Sequence, residues 1–129
     1  MCGRFTQCLS WAELRELMDL VSAPLNQKPR YNIAPSHDVA VVGATANGRH
    51  LSMFRWELIP AWAKHPAIGH KLINARAETV AEKPSFRLTL RHRRCLILAN
   101  GFYEWQLRRR TRQPWHFGLR FAHRLGNTS

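Results

Sequence analysis

The sequence predicts an α+β domain made mostly of antiparallel β-sheet, open and barrel-like, with a few short helices. Short β-branched and aromatic runs alternate with turn signals, which is typical of antiparallel strands. One segment has clear helical periodicity. The 129 residues and 45% hydrophobic content fit one domain with one core. We expect that domain to span residues 1–120 and residues 121–129 to form an unstructured tail.

The first half of the chain supplies a helix and a hairpin. Ser10 and Glu13 form a capping-box pattern, and apolar spacing extends the predicted helix from Trp11 to Val21. The proline-rich segment KPRYNIAPSHD is predicted to be a loop. Asn47–Gly48 then separates VAVVGA from LSMFRWELI, a pattern that predicts two antiparallel strands joined by a tight turn.

The second half of the chain predicts more strands than helix. IPAWAKHP is expected to be a loop, and LINARAETVAEKP a strand end that enters a short helix stopping before Pro84. RCLILA and FYEWQL are predicted strands joined by a turn at Asn100–Gly101. The basic loop RRRTRQP leads to a last strand, WHFGLR.

The charge of the chain predicts a polyanionic partner. Twenty Lys and Arg against eight Asp and Glu give a net charge of +12 and an isoelectric point near 11.2. Arginine dominates, and its guanidinium group binds phosphate in a two-pronged geometry, which favours nucleic acid. A ribosome-associated protein and a membrane-surface protein are the alternatives.

The cysteines predict neither a disulfide framework nor a metal site. Cys2, Cys8 and Cys95 form no C-x-x-C pair, and the histidines do not follow zinc-ligand spacing. We therefore expect no metal and no organic cofactor. No segment resembles a signal peptide or is long and apolar enough to span a bilayer. The expected location is the cytoplasm or nucleoid, or the nucleus in a eukaryote.

Cys2 is the first candidate for chemistry. Methionine aminopeptidases remove Met1 when a small residue follows, which would leave Cys2 with a free α-amine beside its thiol. The pKa of an α-amine is about 7.7–8.0, so a useful fraction is nucleophilic near neutrality. The amine can attack an aldehyde, and the adjacent thiol can then close a thiazolidine ring. The alternative is a small buried residue near a chain end.

Glu104 and Asn74 are two further candidates. On the alternating strand FYEWQL, Glu104 lies on the face opposite Tyr103 and Trp105. Desolvation there would suit a carboxyl group to proton transfer, whereas an ordinary ion pair with an arginine is the alternative. In INARAE, Asn74 is a candidate to orient a sugar oxygen and Arg76 to hold a phosphate, or both simply lie at a helix entry.

Basic and aromatic residues elsewhere suit a nucleic-acid surface. The tracts RLTLRHRRC and LRRRTR interleave charge with apolar residues, as a surface that follows a phosphate backbone does, although single charge runs are usually solvated faces. Trp62 and Pro35 are candidates to wedge against an unstacked base. Packing at the base of a loop is the alternative for both.

Several motifs in register resemble the SOS response-associated peptidase family, whose members shield abasic sites in single-stranded DNA. They are MCGRFT, RYNIAP, RWELIPAWA, LINARAETVAEKPSFR and RRCLILANGFYEWQ. The resemblance implies that Cys2, once Met1 is lost, forms a thiazolidine with a ring-opened abasic sugar. It implies that Asn74 and Glu104 assist this chemistry.

The same resemblance implies a DNA-binding surface. Arg4 and Arg76 are expected near the DNA backbone, and Pro35 and Trp62 where the family shapes the DNA path. The implied peptidase activity is self-removal of the residue ahead of Cys2, and hydrolase and lyase-like chemistry belong to the same expectation. The expected partner is single-stranded DNA with abasic sites, and no membrane partner is expected.

The chain also departs from the family pattern. It resembles a C-terminally truncated member, because the second-half segment H-x-R-M-P is absent, and neither His116 nor His123 lies in such a segment. Glu57 replaces a usual glycine, which predicts backbone strain, and Leu98 and Asn100 replace proline and aspartate. The absent strands would leave a sheet edge and an apolar face uncovered.

Two principal functions follow. In the first, Cys2 crosslinks abasic sites in single-stranded DNA. In the second, the chain is a non-catalytic module that keeps a basic nucleic-acid-binding surface. A general protease with Cys2 as its nucleophile is a third, weaker hypothesis, because no sequence feature supplies a substrate cleft.

Overall fold

A computed structural model describes residues 2–25 and 27–118 of the chain. The predicted tail at 121–129 lies outside the described residues, and the extent of the domain stays a prediction. None of the described helices has the length and apolar character needed to cross a bilayer. The described elements are, in chain order, β1 (Phe5–Gln7), α1 (Trp11–Met18), β2 (Arg30–Ile33), β3 (Asp38–Thr45), β4 (Gly48–Arg55), a 3₁₀ helix (Pro66–Lys71), α2 (Arg87–His92), β5 (Leu96–Ile97), β6 (Gly101–Arg108) and β7 (Thr111–Gly118).

The strands form two antiparallel sheets, which confirms the predicted fold class. The larger sheet has the order β2-β1-β6-β7 and the smaller β4-β3-β5. All the strand pairs within these sheets are antiparallel. Over the described ranges neither sheet closes on itself, so the predicted open character also holds.

The helix α1 begins where the sequence predicts and ends earlier. Both halves of the capping box form, because Ser10 accepts from the Glu13 backbone N–H and the Glu13 side chain accepts from that of Ser10. Asp19 takes a left-handed conformation with φ 51° and ends the helix after Met18. The predicted end at Val21 was therefore wrong. Val21 instead donates its N–H to the Arg49 carbonyl in β4.

The hairpin β3–β4 forms as predicted, with its turn shifted by one residue. Thr45 pairs with Gly48, so Ala46 and Asn47 occupy the turn. Gly48 begins β4 at φ 117°, a conformation that favours glycine. A Cβ atom there would also lie 3.0 Å from the side chain of Val21.

Other local predictions were wrong because long-range pairing outweighed local pattern. The predicted loop KPRYNIAPSHD contains β2, which pairs with β1. The predicted helix after Asn74 is a series of turns, and the sequence did not predict α2. Asn100–Gly101 joins no hairpin, because β5 pairs with β3 and β6 lies in the other sheet. In the predicted basic loop RRRTRQP, Arg108 ends β6 and Thr111 begins β7, so only Arg109 and Arg110 form the turn.

The core lies on both faces of β3. Val39 and Val41 pack with Phe5 and Ile33 on one face, and Ala40 and Val42 belong to the cluster on the other. That second cluster also contains Leu14, Leu20 and Leu51. A strand buried on both faces reads as a continuous apolar run, as VAVV does.

Gln7 joins the two sheets through a buried amide. Its side chain is 1% exposed. Nε2 donates to the Ala40 carbonyl at 2.9 Å and the Leu98 carbonyl at 3.0 Å, and Oε1 accepts from the Ala40 N–H at 3.2 Å. Gln27 Nε2 donates to the same Oε1 at 2.9 Å. One side chain on β1 therefore satisfies polar groups of the smaller sheet and of the segment that follows β5.

The prediction of backbone strain at Glu57 was wrong. Glu57 is not among the described non-glycine residues with positive φ. Its buried carboxylate lies 3.1 Å from Arg55 Nε, and its Oε1 lies 2.9 Å from His70 Nδ1 without accepting a hydrogen bond of good geometry. Gly69 provides the space, because a Cβ there would lie 3.0 Å from Glu57 Oε2.

The hairpin β6–β7 has apolar residues open to solvent. All eight residues of β7 are exposed, among them Trp115 and Phe117, and Leu107 of β6 is 71% exposed. In the described part of the chain, β7 is an edge strand of the larger sheet. The structure thus has the uncovered edge and apolar surface that the sequence predicts.

Candidate functional site

Cys2 lies at the entry to β1, against one of the two core clusters. It is half-buried and packs on the cluster that contains Phe5 and Ile33, together with Trp56. The thiol donates to the Arg4 carbonyl at 3.5 Å. The residue is thus packed against the core while part of it remains open to solvent.

Asn74 is brought to Cys2 by a chain of contacts through Trp56. The Trp56 ring packs edge-on against Phe5, with centroids 5.1 Å apart, and its Nε1 donates to the Ile73 carbonyl at 2.9 Å. The next residue, Asn74, donates its Nδ2 to the Cys2 carbonyl at 2.8 Å. Asn74 therefore bonds to the backbone of Cys2 and caps no helix.

Glu104 approaches Cys2 through the pairing of β1 with β6. Phe5 is opposite Phe102, and the Tyr103 N–H donates to the Arg4 carbonyl at 2.9 Å. Burial raises the pKa of the Cys2 thiol, and the half-buried Glu104 carboxylate raises it further through space. The thiol is therefore held protonated near neutrality, with a carboxylate nearby.

Arg4 is oriented by a residue of the predicted loop. Its Nη1 donates to Asn32 Oδ1 at 2.7 Å, and Asn32 lies on β2. Tyr103 supports the same region, because its hydroxyl donates to the Tyr31 carbonyl at 3.0 Å. These bonds place a guanidinium group two residues from Cys2 at the protein surface.

The other candidates lie outside this hydrogen-bond network. Arg76 is exposed, and its guanidinium has no bonding partner within 2–25 and 27–118. Pro35 and Ser36 form a turn in which Ser36 has φ 72° and the His37 N–H donates to the Ala34 carbonyl at 3.2 Å. Trp62 is 58% exposed.

Three supporting residues were not predicted as part of the site. Trp56, Asn32 and Tyr103 each lie within a motif that carried the family resemblance. Those motifs could have pointed to them, but the sequence assigned them no role. His116 Nε2 lies 3.5 Å from Thr6 Oγ1, and the His116 and Tyr103 ring centroids are 4.9 Å apart. His123 is outside the described residues. No group of three His, Cys, Asp or Glu side chains among those described is placed to hold a metal ion.

Comparisons with known proteins agree on one family. The family model described as "SOS response associated peptidase (SRAP)" matches residues 1–125. Abasic site processing protein YoaM of Bacillus subtilis is 42% identical over 123 residues, which cover 93% of this chain and 54% of that protein. YoqW of the same organism, with the same description, is 44% identical over 108 residues, covering 82% and 48%.

More distant relatives and a solved structure agree. Abasic site processing protein HMCES of Xenopus tropicalis is 34% identical over 101 residues, covering 69% of this chain and 30% of that protein. A crystal structure of a Bacteroides thetaiotaomicron protein superposes with a TM-score of 0.74 at 21% identity, covering 93% of this chain and 55% of that one. This last likeness shows the fold alone.

The matches are unequal in coverage. This chain spans about half the length of the two Bacillus relatives, and Cys2, Asn74 and Glu104 lie within the residues that the family model matches. The family model spans nearly the whole chain. The chain therefore belongs to the SOS response associated peptidase family, which confirms the resemblance seen in its sequence motifs.

Proposed function

We propose that this chain processes abasic sites in single-stranded DNA by linking Cys2 covalently to the ring-opened sugar. One observation supports this most directly: residues far apart in sequence converge on Cys2, with Asn74 2.8 Å from its carbonyl oxygen and Glu104 acting on its thiol. The relatives named abasic site processing proteins point to the same substrate. The site of action is then the nucleoid or the nucleus.

The proposed crosslinking step needs no redox partner and releases one water molecule, and the removal of Met1 before it consumes one. Hydrolysis first removes Met1, which leaves Cys2 with a free α-amine. The amine nitrogen attacks the aldehyde carbon of the opened sugar, and loss of water from the carbinolamine gives an imine. The Cys2 sulfur then adds to the imine carbon, its proton passes to the nitrogen, and a thiazolidine ring results.

Glu104 and Asn74 have different parts in this scheme. A thiol with a raised pKa needs a base to remove its proton. We propose that the Glu104 carboxylate accepts this proton during ring closure and passes it to the ring nitrogen. Asn74 holds the Cys2 carbonyl through its hydrogen bond and so orients the amine and thiol. The place of Glu104 near the thiol supports a role in acid–base catalysis, and the hydrogen bond from Asn74 supports a role in positioning Cys2.

The DNA strand is proposed to follow the positive surface beside Cys2. Arg4, oriented by Asn32, and the exposed Arg76 bind phosphates on either side of the abasic sugar. Pro35, in its turn, and the exposed Trp62 are proposed to guide unstacked bases. A net charge of +12 favours association with the strand.

The first experiment is crosslinking to an oligonucleotide with one abasic site. The purified chain, with Met1 removal checked by mass spectrometry, is incubated with this DNA and resolved by denaturing electrophoresis. We expect a shifted band that requires both the abasic site and Cys2. Cys2→Ala should abolish it, whereas Cys8→Ala, at another half-buried cysteine, should retain it. A band of equal yield from Cys2→Ala would refute the assignment.

A second function, binding without covalent chemistry, is favoured by the basic hairpin turn. Arg108, Arg109 and Arg110 pair with no carboxylate in the described ranges. Counterion release makes purely electrostatic binding weaken steeply as salt rises, whereas a formed adduct does not respond. Salt-sensitive binding with no shifted band would therefore identify a nucleic-acid-binding module.

A further inference from the structure

One face of the hairpin β6–β7 leads from Glu104 toward the arginines of its turn. Residues directly opposite each other on paired strands share a face. Glu104 is opposite Trp115, and Arg108 is opposite Thr111, with Gln106 between them on the same face. Trp115 is therefore beside Glu104, with Cα atoms roughly 4.5–5.5 Å apart as in any antiparallel pair.

Three side chains on this face are already joined into a platform. Trp115 Nε1 and Arg108 Nε both donate to Gln106 Oε1, each at 3.2 Å. The Arg108 guanidinium carbon lies 5.8 Å from the centre of the Trp115 ring, within cation–π range. Gln106 thus bonds to both side chains, with the guanidinium group placed over the aromatic ring.

The platform has binding capacity to spare. Trp115 is 47% exposed, so part of its indole is open to a ligand. Within 2–25 and 27–118, Arg108 pairs with no carboxylate, and its Nη atoms have no bonding partner. A partly open aromatic ring and a guanidinium group with unused Nη donors match the two parts of a nucleotide, because bases stack on aromatic rings and phosphates accept from arginine.

We propose that Trp115, Gln106 and Arg108 form a subsite for the nucleotide next to the abasic residue in single-stranded DNA. Its base stacks on the indole of Trp115, and its phosphate accepts hydrogen bonds from Arg108. Gln106 is a positioning residue. The proposal rests on the proposed function, because that function puts the abasic sugar next to Glu104, at one end of this face.

The hairpin offers matched controls on its opposite face. Leu107 and Arg112 are opposite each other and on the face away from Trp115. Leu107→Ala removes exposed apolar surface without touching the platform. Arg112→Gln removes the same charge as Arg108→Gln from a neighbouring position of the same hairpin. If total charge or total apolar area determined DNA affinity, substitutions on either face would weaken binding equally.

The test is binding of a fluorescent oligothymidine without an abasic site, measured by anisotropy at several salt concentrations. All variants carry Cys2→Ser, so no covalent step contributes. Trp115→Ala is expected to weaken binding about tenfold, the usual effect of losing one stacked base. Arg108→Gln should weaken binding and reduce the slope of log affinity against log salt by about one. Leu107→Ala and Arg112→Gln should each change affinity less than about twofold, a threshold well below the stacking effect.

The outcomes separate this subsite from the proposed function. Equal effects of Arg108→Gln and Arg112→Gln, or wild-type affinity in Trp115→Ala, would overturn the subsite. Trp115→Leu provides a second variant that keeps apolar bulk in the strand, and it should also weaken binding. Crosslinking of abasic DNA by the chain with Cys2 intact is measured separately, so its loss would count against the proposed function.

Discussion

At the residue scale, the protonation of Cys2 depends on its neighbours. Burial and the Glu104 carboxylate both raise the pKa of the thiol. A raised pKa keeps the thiolate, the nucleophilic form, scarce until a higher pH than for an ordinary cysteine. The residue is thus a poor general nucleophile near neutrality, which argues against the protease hypothesis. In the proposed reaction the adjacent amine attacks first, and the thiol acts only in ring closure.

Removing the charge of Glu104 should make the Cys2 thiol more acidic. In a Cys8→Ser, Cys95→Ser background, Glu104→Gln is expected to lower the pKa of Cys2, because a like charge no longer opposes ionisation. The pH profile of alkylation by iodoacetamide should therefore shift to lower pH. Glu78→Gln, at an exposed glutamate, should leave the profile in place. A shift upward, or an equal shift in both variants, would contradict this account.

At the element scale, β1 is short yet central to the architecture. It pairs with β2 and β6 in the larger sheet, and its buried Gln7 bonds to Ala40 of β3 in the smaller. The same pairing brings Glu104 toward Cys2. The elements that form the core also build the site, so damage to β1 is expected to affect both stability and chemistry.

Replacing Gln7 should loosen the joint between the sheets. Gln7→Leu has similar bulk but leaves the Ala40 N–H and the Ala40 and Leu98 carbonyls without their partner. Buried groups left unsatisfied cost about 1–3 kcal/mol, so we expect a loss of about 3 kcal/mol in the free energy of unfolding. Urea denaturation measures this loss. Gln113→Leu, at an exposed position of β7, is the control. Similar losses of stability from Gln7→Leu and Gln113→Leu would contradict a stabilising role for the buried Gln7 hydrogen bonds.

At the scale of the whole molecule, the hairpin β6–β7 leaves a large surface open to solvent. Both faces of β7 are open to solvent, and large apolar side chains line the hairpin. Contiguous apolar surface at an open sheet edge favours association with other chains. The positive charge of the molecule opposes such association through repulsion.

The isolated chain is therefore expected to self-associate through the hairpin, more so in high salt where repulsion is screened. Leu107→Lys should reduce this association, because it places a charge on the apolar surface of the hairpin. Leu88→Lys is the control, since Leu88 is also well exposed, at 62%, but lies on α2. Sedimentation velocity across a concentration series gives the measurement. A monomer at every concentration, or equal effects of the two variants, would show that the hairpin does not associate.

The candidate site was predictable in its residue types but not in its geometry. Cys2, Asn74 and Glu104 each follow from local chemistry and from a motif of the family. Their convergence could not be predicted locally, because Asn74 reaches Cys2 across 72 positions of the chain. The support from Trp56 and Asn32 depends on packing between segments that no periodicity connects.

The sequence by itself determined the start of α1, the β3–β4 hairpin, the positive charge and the family. Capping, alternation and turn preference act between residues a few positions apart, so local pattern suffices for them. Only the tertiary structure decided that β1 lies between β2 and β6, that the segment after Asn74 remains in turns, and that Glu57 is buried without strain. Those outcomes depend on which distant surfaces bury one another and satisfy each other's polar groups, and local pattern does not encode that choice.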